Sequence, residues 1–244
     1  MAALVTGSSQ GIGLAVGLAL AAQGRTVVYH GHLPRPVSGV PATSPYLQAD
    51  LLDPASASAL MDAAFAAQPA LDTLVLNAGG YFDVPFLEMT RAKFDQTIGL
   101  NLAAPYFLSQ EFARRLKAEG RQGCICITTS TNGFQAESDS TAYDSSKGAL
   151  VMLVRTLAVS LSPMGIRVNG VAPGLIRTPL TSGWMDARPD LVAHYEKKIP
   201  LGRIGAPEDC GGAVAFLCSP AAGYITGEII VIDGGMIIQQ IGKQ

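Results

Sequence analysis

The chain has 244 residues, 48% of them hydrophobic and 15% charged, and its formal net charge is −2. That is ample core for one α/β domain, and no basic run is present to attract nucleic acid or an anionic membrane surface. The first residues show no charged start or cleavage-like site, so no signal peptide is expected; the apolar run 17–22 is far too short to span a bilayer.

Ala2–Val5 reads as a short strand that stops at Thr6. Gly7, Gly11 and Gly13 follow, and then an Ala/Leu-rich amphipathic segment runs to Gln23, where Gly24 ends it. Strand, glycine loop and helix in that order make a phosphate cradle. The first glycine permits a tight turn, the second lets backbone approach a pyrophosphate, and the third lets helix and strand pack closely. The N–H groups and dipole of the helix start favour an anion.

Thr26–His30 reads as the second strand, whose end meets the adenosine ribose in nucleotide-binding folds. No Asp or Glu stands there to bond a 2′-hydroxyl; His32 and Arg35 are candidates to face a 2′-phosphate instead. Prolines at 34, 36, 41 and 45 exclude a regular helix over Leu33–Pro45, so an irregular crossover is expected. Tyr46–Ala49 is the third strand, with Asp50 and Leu51 after it, and Pro54–Gln68 is a helix with proline in its tolerated first turn. Thr73–Leu76 is the fourth strand. The small residues Asn77, Ala78, Gly79 and Gly80 behind it would let backbone lie against a flat ring.

Thr90–Glu119 reads as one long helix, or two merging around Pro105, with Asn101 among apolar neighbours. Cys124–Thr128 is the fifth strand, Ala142–Leu161 the next helix, and Arg167–Val171 the sixth strand, leading to Pro173, Gly174, Ile176 and Thr178. Leu180–Ile199 is the least regular stretch, long enough to cover a site as a lid. Pro207–Cys218 is a helix and Ile229–Ile232 a seventh strand. Strands alternate with helices and no repeat or linker intervenes. The expected architecture is therefore a single α/β domain over residues 1–244, a Rossmann-type doubly wound parallel sheet of about seven strands with helices on both faces. Cys124, Cys126, Cys210 and Cys218 lack zinc-ligand spacing; they are expected to be reduced, mostly buried thiols of a cytoplasmic protein without a metal site.

Chemistry concentrates in residues 130–147. Tyr143 and Lys147 are four apart and share one face of the helix, which sets a phenol beside an ammonium. A free phenol, with a pKa of about 10, is a poor acid or base near neutrality, and a neighbouring cation is expected to lower that value. Ser130 stands at the carboxyl end of the fifth strand, where ligands bind in open α/β sheets.

Taken together, the chain resembles the short-chain dehydrogenase/reductases from end to end, with likeness to their 3-oxoacyl-ACP reductase and polyol dehydrogenase members. The matching pieces are Thr6 and Gly7 with Gly11, Ile12 and Gly13; Asp50; Asn77, Ala78 and Gly79; Asn101; Ser130; Tyr143 with Lys147; Pro173 with Gly174; and Ile225, Thr226 and Gly227. The resemblance implies a catalytic set of Asn101, Ser130, Tyr143 and Lys147. Tyr143 would exchange a proton with the substrate oxygen, and Ser130 would bond that oxygen. Lys147 would hold the nicotinamide ribose and depress the pKa of Tyr143, and Asn101 would position a water. A dinucleotide would lie along Gly7, Ser9, Gln10, Gly11, Ile12 and Gly13. His32, Asp50 and Leu51 would stand near its adenosine end, with Asn77, Ala78 and Gly79 near adenine and ribose. Pro173, Gly174, Ile176 and Thr178 would flank the nicotinamide.

Two departures bear on the cofactor: Gly31 replaces the strand-two acid of NAD-using relatives, and Gln10 stands where many NADP-using relatives carry a basic residue. The missing carboxylate favours NADP, with NAD as the alternative. The expected function is hydride transfer between a nicotinamide and a carbonyl or secondary alcohol; the alternative is a catalytically silent nucleotide-binding regulator of the same fold. The expected partner is a small-molecule substrate, with neither nucleic acid nor membrane, and the chain is expected to form a homotetramer or homodimer. Ser130, Tyr143, Gln135 and Trp184 are the candidate substrate contacts, in a moderately apolar pocket with Phe82, Phe134, Met185, Leu191 and Tyr195.

Overall fold

The computed structural model describes residues 1–34 and 39–238. Seven strands form one parallel sheet: β1 (Ala2–Val5), β2 (Thr26–Gly31), β3 (Tyr46–Gln48), β4 (Leu71–Leu76), β5 (Gly123–Thr128), β6 (Ile166–Pro173) and β7 (Ile229–Ile232). Their order is β3-β2-β1-β4-β5-β6-β7. The central strands are apolar runs buried on both faces, whereas β3 and β7 at the edges stay partly exposed. The chain leaves β1 toward β2 on one side and returns to β4 on the other. A crevice opens at such a reversal, outside the carboxyl ends of the strands.

Helices α1 (Gly11–Ala22), α2 (Ser56–Ala67), α3 (Arg91–Ile98), α4 (Ala104–Ala118), α5 (Thr141–Leu161), α6 (Ser182–Ala187), α7 (Pro189–Lys198) and α8 (Pro207–Leu217) complete the fold. On one face Leu60, Met61 and Phe65 of α2, Leu108 and Phe112 of α4 and Val154 of α5 pack on Leu4, Leu74 and Ile125. On the other, Val16 and Leu20 of α1 and Val214 and Leu217 of α8 pack on Val5, Val27 and Tyr29. Fully burying each large side chain contributes roughly 1.5–3 kcal/mol, so both layers are needed to hold the sheet. The span Thr141–Met164 is long and apolar enough to cross a membrane by length and composition alone. Here it is a core helix, with Leu150, Val154 and Leu161 against the sheet and Lys147 buried at the crevice.

Two segments differ from the sequence reading. Leu180–Ile199 is not irregular: it holds α6 and α7, the second with proline in its first turn, Asp190 at its start and Lys197 and Lys198 at its end. Thr90–Glu119 does divide, but at a wide π turn over Gly99–Ala103 rather than at Pro105, which lies in the first turn of α4. Such turns insert one extra residue and gather at functional sites; Asn101 occupies this one.

Candidate active site

The crevice encloses about 600 Å³. Gly7, Ser9, Gln10, Gly11, Ile12, His32, Asp50, Leu51, Asn77, Ala78, Gly79, Ser130, Tyr143, Lys147, Pro173, Gly174, Ile176 and Thr178 all line it. The loop after β6 arches across: a Cβ on Gly11 would stand 3.6 Å from Thr178 Cβ. Gly13 lies beneath the cradle, where a Cβ would meet Gly7 O at 2.3 Å and Asn77 Nδ2 at 2.5 Å. Asn77 Nδ2 donates to Gly7 O at 3.1 Å and to Thr6 O at 3.3 Å, and Thr6 Oγ1 accepts from the amides of Asn77 and Ala78. The β4 loop and the glycine loop are therefore locked as one floor.

His30, at the end of β2, is the further strut of that floor. Its Nδ1 accepts from Gly7 N–H at 3.1 Å, and its Nε2 lies 3.2 Å from Ala49 O. Only the neutral tautomer with hydrogen on Nε2 satisfies both. Burial depresses its pKa to about 4. At Gly31 a Cβ would meet Tyr46 Oη at 2.3 Å and Ser9 Oγ at 3.2 Å, so two hydroxyls crowd the place from which a strand-two acid would project. Tyr46 Oη donates to Leu33 O, and Gln48 Nε2 to His32 O, which fixes the loop carrying His32. Arg35 lies outside the described residues.

Lys147 is only 6% exposed. Its Nζ donates to Thr128 O at 3.2 Å and lies 5.4 Å from the centroid of the Tyr143 ring. Burial pushes the Tyr143 phenol up to about 12 and outweighs the lowering by the Ser130 hydroxyl. Burial likewise depresses Lys147 to about 8. The expected lowering of the Tyr143 pKa by Lys147 is thus reversed in direction. The carboxylates of Asp144 and Glu137 add to the rise. Tyr143 stands in the crevice as a protonated acid.

Asn101 and Gly13 support the crevice without lining it. Asn101 Oδ1 accepts from Gly80 N–H at 2.9 Å, and its Nδ2 donates to Gly80 O at 2.9 Å and to Ser146 Oγ at 3.2 Å. Gln135 and Trp184 do not reach the crevice wall, whereas Phe82 does. Trp184 of α6 pairs with Tyr195 of α7 at 6.3 Å between ring centroids. Sequence reasoning missed three groups. Asn132 N–H donates to Ser130 Oγ at 3.1 Å, Asn132 Nδ2 donates to Asp144 Oδ1 at 2.8 Å, and Asp83 Oδ2 accepts from the amides of Ala142 and Tyr143. Only the adjacency of Asn132 and Asp144 to Ser130 and Tyr143 was a signal for the first two; Asp83 had none.

These residues fit a pyridine dinucleotide. No side chain caps the start of α1, which leaves its first N–H groups for an anion. The Lys147 ammonium has three donors, and the carbonyl of Thr128 takes one. Among the described residues no cluster of His, Cys, Asp or Glu could hold a metal ion, and the four cysteines are free and buried.

The profile of a family described as Enoyl-(Acyl carrier protein) reductase matches residues 7–237. An L-rhamnose 1-dehydrogenase (NAD(P)(+)) from Azotobacter vinelandii is 35% identical over 96% of each chain, and a 3-oxoacyl-[acyl-carrier-protein] reductase from Aquifex aeolicus is 34% identical over 96% of each. A crystal structure from Beutenbergia cavernae, assigned as an NAD(P) dependent gluconate 5-dehydrogenase and containing NADP at low occupancy, superposes with a TM-score of 0.91. It is 33% identical, over 98% of this chain and 97% of that one. Agreement in sequence and in fold along nearly the whole chain leads to one conclusion: this protein belongs to the short-chain dehydrogenase/reductase family.

Proposed function

We propose that the protein is an NAD(P)-dependent oxidoreductase acting on a carbonyl or secondary alcohol, with Tyr143 as the acid/base. The observation that carries this reading is that Ser130, Tyr143 and Lys147 line the same crevice as the glycine cradle. A bound nicotinamide supplies or accepts the hydride. Ser130 bonds the substrate oxygen and polarises it. Tyr143, holding its proton through the neutral range, delivers it to the oxygen in reduction and takes it back in oxidation. Lys147 holds the ribose hydroxyls and keeps positive charge beneath the phenol, so that charge developing on oxygen is stabilised by groups already in place. Tyr143→Phe should lower turnover by about 10²- to 10⁴-fold with dinucleotide affinity unchanged; wild-type turnover in that variant would sink the assignment.

NADP is the preferred cofactor in this reading. Gly31 brings no carboxylate to repel a 2′-phosphate, and the hydroxyls of Ser9 and Tyr46 stand beside it. Relatives act on sugars and on acyl-carrier thioesters, and both classes belong in the first substrate panel. Association with further copies is supported by exposed Tyr106 and Phe107 on α4 and Met152 and Val159 on α5. Four free thiols suit the reducing cytoplasm.

A further inference from the structure

The first turn of α5 carries Tyr143, yet its own N-cap residue Ser140 makes no side-chain cap. Ser140 Oγ donates instead to Asp144 Oδ1 at 2.7 Å. The acceptor for that turn comes from the loop after β4, whose earlier residues line the dinucleotide crevice. Asp83 Oδ2 accepts from Ala142 N–H at 2.9 Å and from Tyr143 N–H at 3.1 Å. Two residues upstream, the Tyr81 ring packs on the Tyr143 ring at 5.3 Å between centroids. The Tyr81 hydroxyl donates to Asp139 O at 3.0 Å, and Asp139 is held at φ 56°, a left-handed conformation costly for a residue other than glycine. One loop thus grips the backbone and the ring of Tyr143 together.

We propose that Asp83 is a positioning residue for the acid/base: its carboxylate fixes the start of α5, and so the phenol of Tyr143, against the crevice floor. This inference rests on the role of Tyr143 proposed above. A carboxylate accepting two N–H groups at a helix start makes strong, charge-assisted bonds. The second oxygen, Oδ1, is buried and has no hydrogen-bond partner among the described residues. The two amide bonds therefore hold the side chain. An asparagine can keep its oxygen on both amides and put its NH2 where Oδ1 already lacks a partner.

Asp83→Ala is expected to lower kcat about 10- to 100-fold, as a small misplacement of a reacting group does, while NADPH affinity read by fluorescence titration stays unchanged. Asp83→Asn should recover most of the lost kcat. Amide hydrogen exchange gives a readout independent of turnover: the Ala142 and Tyr143 amides should be protected in the wild type and in Asp83→Asn, and exchange fast in Asp83→Ala. Wild-type kcat in the alanine variant, a loss confined to dinucleotide affinity, or an asparagine variant no better than alanine would overturn the proposal. So would rapid exchange of both amides in the wild type. If the alanine variant does not fold, wild-type exchange and the kcat of the asparagine variant decide. Tyr143→Phe assayed in parallel separates the two readings. Full turnover there overturns the acid/base role, whereas exchange at Tyr143 tests the clamp alone.

Discussion

His30 shows how one buried ring ties pH to the cofactor cradle. Its folded pKa of about 4 lies below the ordinary value of 6.5, so between those pH values the unfolded chain binds more protons than the folded one. Stability contributed by the neutral ring is complete above about pH 6.5 and is lost as pH falls toward 4, by up to about 3 kcal/mol at 1.36 kcal/mol per unit. Protonation also places a hydrogen on Nδ1, which ends its acceptance of Gly7 N–H. Urea unfolding at several pH values should show this loss in the wild type and a flatter curve in His30→Gln. Lys147 and Tyr143 act in the opposite range. Lys147, depressed to about 8, makes stability rise with pH from there toward 10.5, and Tyr143, raised to about 12, makes it fall from 10 upward. For catalysis the protonated phenol is the form that reduction needs, and the phenolate the form that oxidation needs. Alcohol oxidation should therefore accelerate between about pH 7 and 9, whereas carbonyl reduction should fall above about pH 8 as Lys147 loses its charge. An oxidation rate independent of pH over that range would contradict the role of Tyr143.

Among the elements, the glycine loop and the π turn are held by contacts that tolerate little change. Gly13→Ala would drive a methyl to 2.3 Å from Gly7 O and should abolish dinucleotide binding. Gly212, in α8, faces open space, and Gly212→Ala should leave binding intact and add about 0.5–1 kcal/mol of stability. Calorimetry with NADPH on the two variants checks both outcomes. Asn101→Ala would leave the N–H and C=O of Gly80 without their partners, at about 1–3 kcal/mol for each unsatisfied group. A lowered Tm accompanied by weaker dinucleotide binding is the expected result, because Gly80 lines the same crevice.

For the whole molecule, a ligand that binds only the folded chain raises its stability by RT ln(1 + [L]/Kd), which is about 2.7 kcal/mol at 100 times Kd. NADPH should raise Tm more than NADH at equal concentration; the reverse order would overturn the reading of Gly31, Ser9 and Tyr46. Much of the architecture was legible in the residues. Apolar runs such as Leu74–Leu76 and Ile125–Ile127 read as buried strands, and Gly7, Gly11 and Gly13 between a strand and a helix marked the cradle. The segment 180–199 was not legible, because α6 is only 6 residues long and Pro189 stands where the two short helices meet.

The amino-acid order by itself determined the alternation of strands and helices, the glycine cradle, and a tyrosine and a lysine on one helical face. All of these depend on local periodicity and on residue types that admit few conformations. Folding alone decided that Tyr143 is a weaker acid than free tyrosine, that His30 is a neutral strut, and that Asp83, 60 residues away in the chain, bonds the amide of Tyr143. Burial and contacts between distant segments set those properties, and neither exists until the sheet has brought the loops together.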